Sequence, residues 1–147
     1  MERSLVLLKP DAVQRGLIGE IIGRFEKKGL QVVGMKLMKV EEELAREHYR
    51  EHLDKDFFDD LFSFITSSPL VAMVIQGEQA IGVIRDMMGA TNPFEAAPGT
   101  LRGDYGLDLT MNLVHGSDSP ESAQREIELF FDGEELMDYE LEMEAWH

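Results

Sequence analysis

The chain has 147 residues, of which 44% are apolar and 29% charged, a balance that suits one compact globular domain and excludes a disordered chain. Cysteine is absent, which excludes disulfides and thiolate chemistry and makes a cytoplasmic location the simple expectation. The formal net charge of −15 argues against charge-driven binding to nucleic acids or anionic membranes. The longest apolar run, Leu70–Ile75, is far shorter than the roughly 20 residues that span a membrane, so we expect no membrane segment.

Apolar periodicity predicts strands that alternate with helices along the first half of the chain. Ser4–Leu8 is typical of a buried strand, which ends at the polar turn after Leu8. The next segments in chain order are a helix carrying Leu17, Ile18, Ile21, Ile22 and Phe25 and capped by Gly29, a strand over 31–40, a helix over 41–53 and a short helix over 58–65.

The second half continues the alternation around one long loop. Leu70–Ile75 is a second buried strand, and the helix after it is closed by Gly89. A loop follows from Ala90 to about Asp104, then a last strand that leads to His115 and a helix that begins at Pro120 behind Ser119 or Asp118 as cap. Because there are no repeats or linkers, we expect a single α/β domain over residues 1–147, with strand order left open.

The helix predicted over 41–53 contains an H-x-x-E-H motif from His48 to His52. On a helix the two histidines share a face and could bind zinc, with Glu51 as the base of a peptidase. Five residues are a short match, so an ordinary amphipathic helix is the competing interpretation.

No phosphate-binding glycine motif is present, so a bound phosphate must be held mainly by side chains and helix ends. Arg85 and Arg102 flank the long loop, and arginine forks match phosphate oxygens. Pairing of both arginines with surface carboxylates explains the same pattern.

His115 lies between a strand and the polar turn that opens the last helix, a common setting for a reactive group. Glu126 is two turns along that helix and could fix the imidazole tautomer, which leaves the other nitrogen free as a nucleophile. Ser117 could donate a hydrogen bond to a departing oxygen. A purely structural histidine is the alternative.

Three motifs stand out in combination: "KPD-x-VQRG" from Lys9, "PGTLRGD" from Pro98 and "HGSDS" from His115. With them the chain resembles the nucleoside diphosphate kinase family, and the similarity covers almost its whole length. The resemblance implies a sandwich in which a four-stranded antiparallel sheet of ferredoxin-like topology is covered by helices. It also implies an enzyme that transfers the γ-phosphoryl group of a nucleoside triphosphate to a nucleoside diphosphate in a ping-pong reaction.

By the same resemblance, His115 Nδ1 carries the phosphoryl group, Glu126 bonds Nε2, and Ser117 lies beside the reacting oxygens. The residues implied in nucleotide binding or catalysis are Lys9, Tyr49, His52, Phe57, Leu61, Arg85, Thr91, Arg102 and Asn112. Phe57 stacks on the base, which would give broad base specificity. Mg²⁺ is held by the nucleotide phosphates, with Asp118 assisting at most through water.

The sequence departs from the usual family pattern at Asp56, Ala97 and Thr110-Met111. None of these positions is an implied catalytic group. The family implies a homo-oligomer and favours a hexamer over a tetramer, with Trp146 as a candidate interface anchor. A nucleotide-binding scaffold without catalysis is the competing function, and the intact set of His115, Glu126 and the arginines argues against it.

The negative charge is concentrated late in the chain, where eleven acidic residues follow from Asp118 onward against one basic residue, Arg125. A solvated helix face and tail explain this acidity, and so does adaptation to a salt-rich cytoplasm.

If the acidity is a salt adaptation, the midpoint of thermal unfolding rises between low and molar KCl, because salt screens the repulsion among carboxylates. A variant with glutamine at Glu140, Glu142 and Glu144 serves as the control and should gain less from the salt. Equal stability of the unmodified chain in both solutions would count against salt adaptation.

Overall fold

The computed structural model describes residues 1–53, 58–142 and 146. Four strands form one sheet in the order β2-β3-β1-β4, and every neighbouring pair is antiparallel. This arrangement confirms the expected antiparallel sandwich. The strands are β1 (Glu2–Leu8), β2 (Gln31–Met38), β3 (Leu70–Gly77) and β4 (Val114–Gly116).

Helices cover both faces of the sheet. Within the described ranges the α-helices are α1 (Pro10–Gln14), α2 (Ile18–Lys28), α3 (Glu42–His48), α4 (Phe58–Thr66), α5 (Ala80–Met88), α6 (Leu101–Tyr105) and α7 (Pro120–Phe130). Short 3-10 turns lie at Arg50–His52, Pro93–Glu95 and Gly133–Glu135. Among the described helices, none has the length and apolar character needed to cross a bilayer.

The central strand β1 is buried on both faces, which explains its unbroken apolar sequence. Val6 and Leu8 pack with α2 and α5 in one core layer. Leu5 and Leu7 point the other way and pack with α3, α4 and α7. Period-two alternation along a single strand therefore supplies both layers of the core.

Two predicted helix ends have the expected chemistry. Gly29 ends α2 with a φ of 103°, a left-handed conformation that glycine adopts without the clash of a Cβ atom. Ser119 caps α7, because its Oγ accepts a hydrogen bond from the Ser122 N–H at 3.1 Å, and Pro120 occupies the first turn.

Three segments differ from the sequence prediction. The helix expected over 41–53 ends at His48 and continues only as the 3-10 turn Arg50–His52. The zinc-peptidase spacing is therefore not carried by one continuous α-helix. The expected loop contains α6, which Thr100 caps, and the polar turn after β1 is the short helix α1 with Pro10 as its first residue.

Candidate active site

His115 lies on β4, directly opposite Leu7 of the central strand, and its side chain is 23% exposed. Its Nε2 lies 3.0 Å from Oε1 of Glu126, which projects from α7. The Ser117 hydroxyl donates to the same carboxylate oxygen at 2.7 Å. One short strand and one capped helix thus place a histidine, a carboxylate and a hydroxyl in a fixed chain.

The charge of Glu126 determines the tautomer of His115. Burial raises the pKa of Glu126, but the hydrogen bond and charge of His115 and the Ser117 hydroxyl outweigh burial and hold this pKa below its usual value. An ionised carboxylate can accept a hydrogen bond but cannot donate one, so the Nε2 of His115 carries the hydrogen and donates it. The Nδ1 of the neutral ring is therefore left with its lone pair.

His48 packs against His115. The two imidazole rings meet edge to face with centroids 4.8 Å apart, and Tyr49 and Phe130 surround His48 on other sides. Burial, reinforced by the neighbouring His115, lowers the pKa of His48 to about 3. His48 is therefore an uncharged aromatic support for His115. From the sequence, His48 is expected only as a zinc ligand or as part of an amphipathic helix.

His115 opens onto a cleft of about 480 Å³, a suitable volume for a small-molecule ligand. The predicted site residues that line this cleft are Lys9, Tyr49, Leu61, Arg85, Thr91, Arg102, Asn112, His115, Asp118 and Glu126. Tertiary folding therefore gathers, around one histidine, residues that are separated by more than 100 positions in the chain.

Lys9 and Asn112 form a buried pair at the floor of the cleft. Lys9 is 7% exposed, and its Nζ donates to Oδ1 of Asn112 at 2.8 Å. Burial and the charge of Arg102 lower the pKa of Lys9 to about 8, while the neighbouring Asp11 opposes this shift. The ammonium therefore titrates close to neutral pH.

The two arginines differ in what they contact. Arg102 is buried and donates to three backbone carbonyls, those of Asn112, Val114 and Gly89, at 2.7–3.1 Å. Burial and the charge of Arg85 lower the pKa of Arg102 to about 10. Arg85 is exposed in the same cleft. Within the described residues neither guanidinium pairs with a carboxylate, so the alternative of surface ion pairs is not supported.

Some of the predicted site residues are placed differently or lie outside the described atoms. The Ser117 side chain is fully buried and bonds Glu126, so it contacts the carboxylate and does not line the cleft. Phe57 and the side chain of His52 lie outside the described residues. Arg125 and Leu109 line the cleft without having been singled out, since neither carries a sequence signal.

A divalent metal has two candidate sets of ligands in the cleft. His48, His115 and Glu126 place potential ligand atoms within 4.8 Å of one another. Two imidazoles and one carboxylate do not suit Mg²⁺, which prefers oxygen ligands and retains several waters. Asp118 suits it better, because the Ser122 hydroxyl and the charge of Arg85 lower the pKa of this exposed carboxyl.

This fold and this site define a class of enzyme: a phosphotransferase with an oriented histidine facing a basic cleft. The sequence model of the nucleoside diphosphate kinase family matches residues 2–136. Nucleoside diphosphate kinases from Pelotomaculum thermopropionicum and Natronomonas pharaonis are each 60% identical over 146 residues, which cover 99% of this chain and 98% and 95% of the relatives.

A solved structure gives the same result. It is described as a halophilic nucleoside diphosphate kinase from Halobacterium salinarum in complex with CDP, and it is 57% identical to this chain. The two superpose with a TM-score of 0.97 over 99% of this chain and 97% of that one.

The chain belongs to the nucleoside diphosphate kinase family. It is an enzyme that transfers a phosphoryl group from nucleoside triphosphates to nucleoside diphosphates through a histidine intermediate, the known mechanism of this family. Membership of a nucleotide kinase family is also consistent with a requirement for a divalent cation.

The burial of neutral His48 predicts a pH-dependent stability. The pKa is about 3 in the folded chain and about 6.5 in the unfolded one, so the unfolded state binds more protons between these values. The free energy of unfolding therefore falls as the pH drops below about 6.5, with a slope of up to about 1.4 kcal/mol per pH unit. Urea unfolding from pH 7 to pH 4 measures it.

Other carboxylates titrate in the same range, so the comparison is made with His48→Phe, which keeps an aromatic ring in place and removes the titrating group. The difference in free energy of unfolding between the two chains should change with pH. A difference that stays constant from pH 7 to pH 4 would show that His48 does not titrate in this way.

Proposed function

We propose that Nδ1 of His115 attacks the γ-phosphorus of a bound nucleoside triphosphate. The new N–P bond forms as the bond to the β-phosphate oxygen breaks, and the nucleoside diphosphate leaves with that electron pair. An acceptor diphosphate then reverses the step and regenerates the free histidine. The observation that carries this proposal is the 3.0 Å contact of His115 Nε2 with Glu126, because it leaves Nδ1 as the basic nitrogen.

The charge that develops on the transferred group is balanced by cations around the cleft. We infer that Arg85 and Thr91, both exposed there, contact the phosphates together with Arg102, while Lys9 and Asn112 contact the ribose hydroxyls and, through Lys9, the transferred phosphate. Phosphoryl transfer depends mainly on positioning and charge stabilisation, which such a set supplies. We assign Ser117 to hold Glu126, since its hydroxyl is already bonded there.

We assign Tyr49 to the wall of the site beside His115. Burial raises the pKa of the Tyr49 phenol, so this group stays protonated and can donate a hydrogen bond at any physiological pH.

We propose that the base stacks on Phe57, which lies outside the described residues, and that Leu61 at the cleft borders the same slot. Stacking discriminates weakly among bases because every base has a π face, so we expect broad base specificity. Similar kcat/KM values for purine and pyrimidine diphosphates would support this, and a strong preference for one base would contradict it. His52 is proposed as a further phosphate contact.

We propose Mg²⁺ as the divalent cation, held by the nucleotide phosphates with Asp118 assisting through water. The pKa of Asp118 is lowered first by the Ser122 hydroxyl and also by the Arg85 charge, which supports an ionised carboxylate there. When bound, the cation neutralises charge on the phosphates.

We further propose that residues 1–147 form a single domain that works in the cytoplasm as a homo-oligomer, with a hexamer favoured over a tetramer. The family match over residues 2–136 supports the single domain. The 84% exposure of Trp146 leaves it available as an interface anchor. Light scattering gives the number of subunits directly.

Replacement of the nucleophile should abolish turnover. We expect His115→Ala to reduce transfer from ATP to a nucleoside diphosphate by at least a thousandfold, because the variant lacks the nitrogen that forms the N–P bond. Mixing the unmodified enzyme with γ-³²P-labelled ATP should leave an acid-labile, base-stable label that this variant lacks. The control is His147→Ala, since His147 lies beyond the matched residues 2–136. Full activity of His115→Ala would eliminate the assignment.

The titration of Lys9 predicts an alkaline limit to activity. Its pKa is about 8, so above that pH the ammonium loses the proton and the charge that stabilises the transferred phosphate. We expect kcat/KM to fall up to tenfold per pH unit above about pH 8. Lys9→Arg should shift this alkaline fall in kcat/KM to higher pH, because guanidinium remains charged. Lys39→Arg, at an exposed position, is the control and should leave the pH at which kcat/KM falls unchanged.

A further inference from the structure

The backbone just before the reactive histidine is strained. Leu113 is fully buried and has a φ of 76°, a backbone conformation that residues other than glycine rarely adopt. The Val114 N–H donates to the Asn112 carbonyl at 2.9 Å, which closes a three-residue γ-turn centred on Leu113. A γ-turn with positive φ is rare, and it persists only where surrounding contacts hold it.

This turn lies between two residues of the proposed site, Asn112 and His115. The residue before Leu113 is Asn112, whose side chain bonds Lys9 at 2.8 Å and the Thr91 carbonyl at 3.0 Å. Two residues after Leu113 comes His115 itself. A different backbone conformation at Leu113 therefore shifts the nucleotide-binding amide relative to the nucleophile, and displacements of about 1 Å at a reacting centre can reduce rate a hundredfold.

Asp11, which lies on α1, holds the centre of the γ-turn at Leu113. The Leu113 N–H donates to Oδ2 of Asp11 at 3.1 Å, across a separation of 102 residues. The Lys9 N–H donates to the Leu113 carbonyl at 2.8 Å, so both peptide groups of Leu113 are held by the segment that follows β1. Arg102 bonds the carbonyls on either side of the turn, those of Asn112 and Val114.

The Asp11 carboxylate is expensive to bury and does not face the cleft. It is 9% exposed, and its Oδ1 has no hydrogen-bond partner within the described part of the chain. Burying a carboxylate with one unpaired oxygen makes the fold less stable than an apolar residue at this position would. The presence of Asp11 here therefore points to another task. The bond to the Leu113 N–H is that task, since no other acceptor reaches this amide among the described contacts.

We propose that Asp11 is a positioning residue of the phosphoryl-transfer site. Its carboxylate accepts the Leu113 N–H and so holds the γ-turn that sets the distance between Asn112 and His115. The inference rests on the proposed function of His115, because the spacing it controls matters only if that histidine is the nucleophile.

The first test compares two substitutions of Asp11. Asp11→Ala removes the acceptor and should lower kcat/KM about 10- to 100-fold. Asp11→Asn keeps an oxygen that can accept from the Leu113 N–H and should retain most of the activity. Equal losses in both variants would show that the negative charge beside Lys9 matters and the hydrogen bond does not, which overturns the proposal.

The second test uses the strain itself. In the Asp11→Ala background, Leu113→Gly should restore part of kcat, because glycine adopts a φ of 76° without an external clamp. Leu113→Ala is the matched control: it empties the same core position but keeps the strained Cβ, and it should restore nothing. If Asp11 only stabilised the fold, both second substitutions would reduce activity further, and that result would overturn the proposal.

Hydrogen exchange provides a measurement that needs no variant to fold. The Leu113 amide of the unmodified enzyme should be strongly protected, whereas rapid exchange would show that the clamp does not exist and overturn the inference. Phosphorylation of His115 in the unmodified enzyme is measured in parallel. Loss of that reaction refutes the proposed function, while normal phosphorylation with full activity of Asp11→Ala refutes only the positioning role.

Discussion

The antiparallel pairing of β4 with β1 is the contact on which the site depends. β4 has only three residues, Val114–Gly116, and pairs with the end of the central strand from Val6 to Leu8. This pairing brings His115 beside Leu7 and directs the chain past Lys9. Because β1 is buried on both faces, the packed core fixes the position of β4. The backbone of His115 is therefore held in a defined position.

The site combines groups that are costly to bury. Lys9, Arg102, Asn112 and Glu126 are each less than 10% exposed. Their mutual hydrogen bonds and backbone contacts offset the loss of hydration. The remaining cost appears in depressed pKa values for Lys9 and Arg102, since burial disfavours their charged forms. A bound anion would favour the charged forms of both side chains, so the electrostatics of the cleft agree with the proposed binding of a nucleotide there.

Contacts from His48, Ser117, Glu126 and Asp11 set the detailed geometry around His115. His48 supports the His115 ring without a charge of its own, and Glu126, held by Ser117, fixes the tautomer of that ring. Asp11 reaches the same region from the opposite side through the Leu113 amide. His115 and the cleft residues near Leu113 are thus held in place by side chains on three different helices, α3, α7 and α1.

The sequence by itself determined the four strands and the longer helices α2, α5 and α7, and the caps at Gly29 and Ser119. It also determined the histidine with its carboxylate two turns along a helix, and the motifs that indicate the family. Those features are local, so periodicity and spacing express them. Strand order, the burial of His48, the end of α3 at that residue, and the clamp between Asp11 and Leu113 were decided only by tertiary structure. Each depends on contacts between distant segments, and the conformation at Leu113 is held against its own backbone preference by a carboxylate 102 residues away.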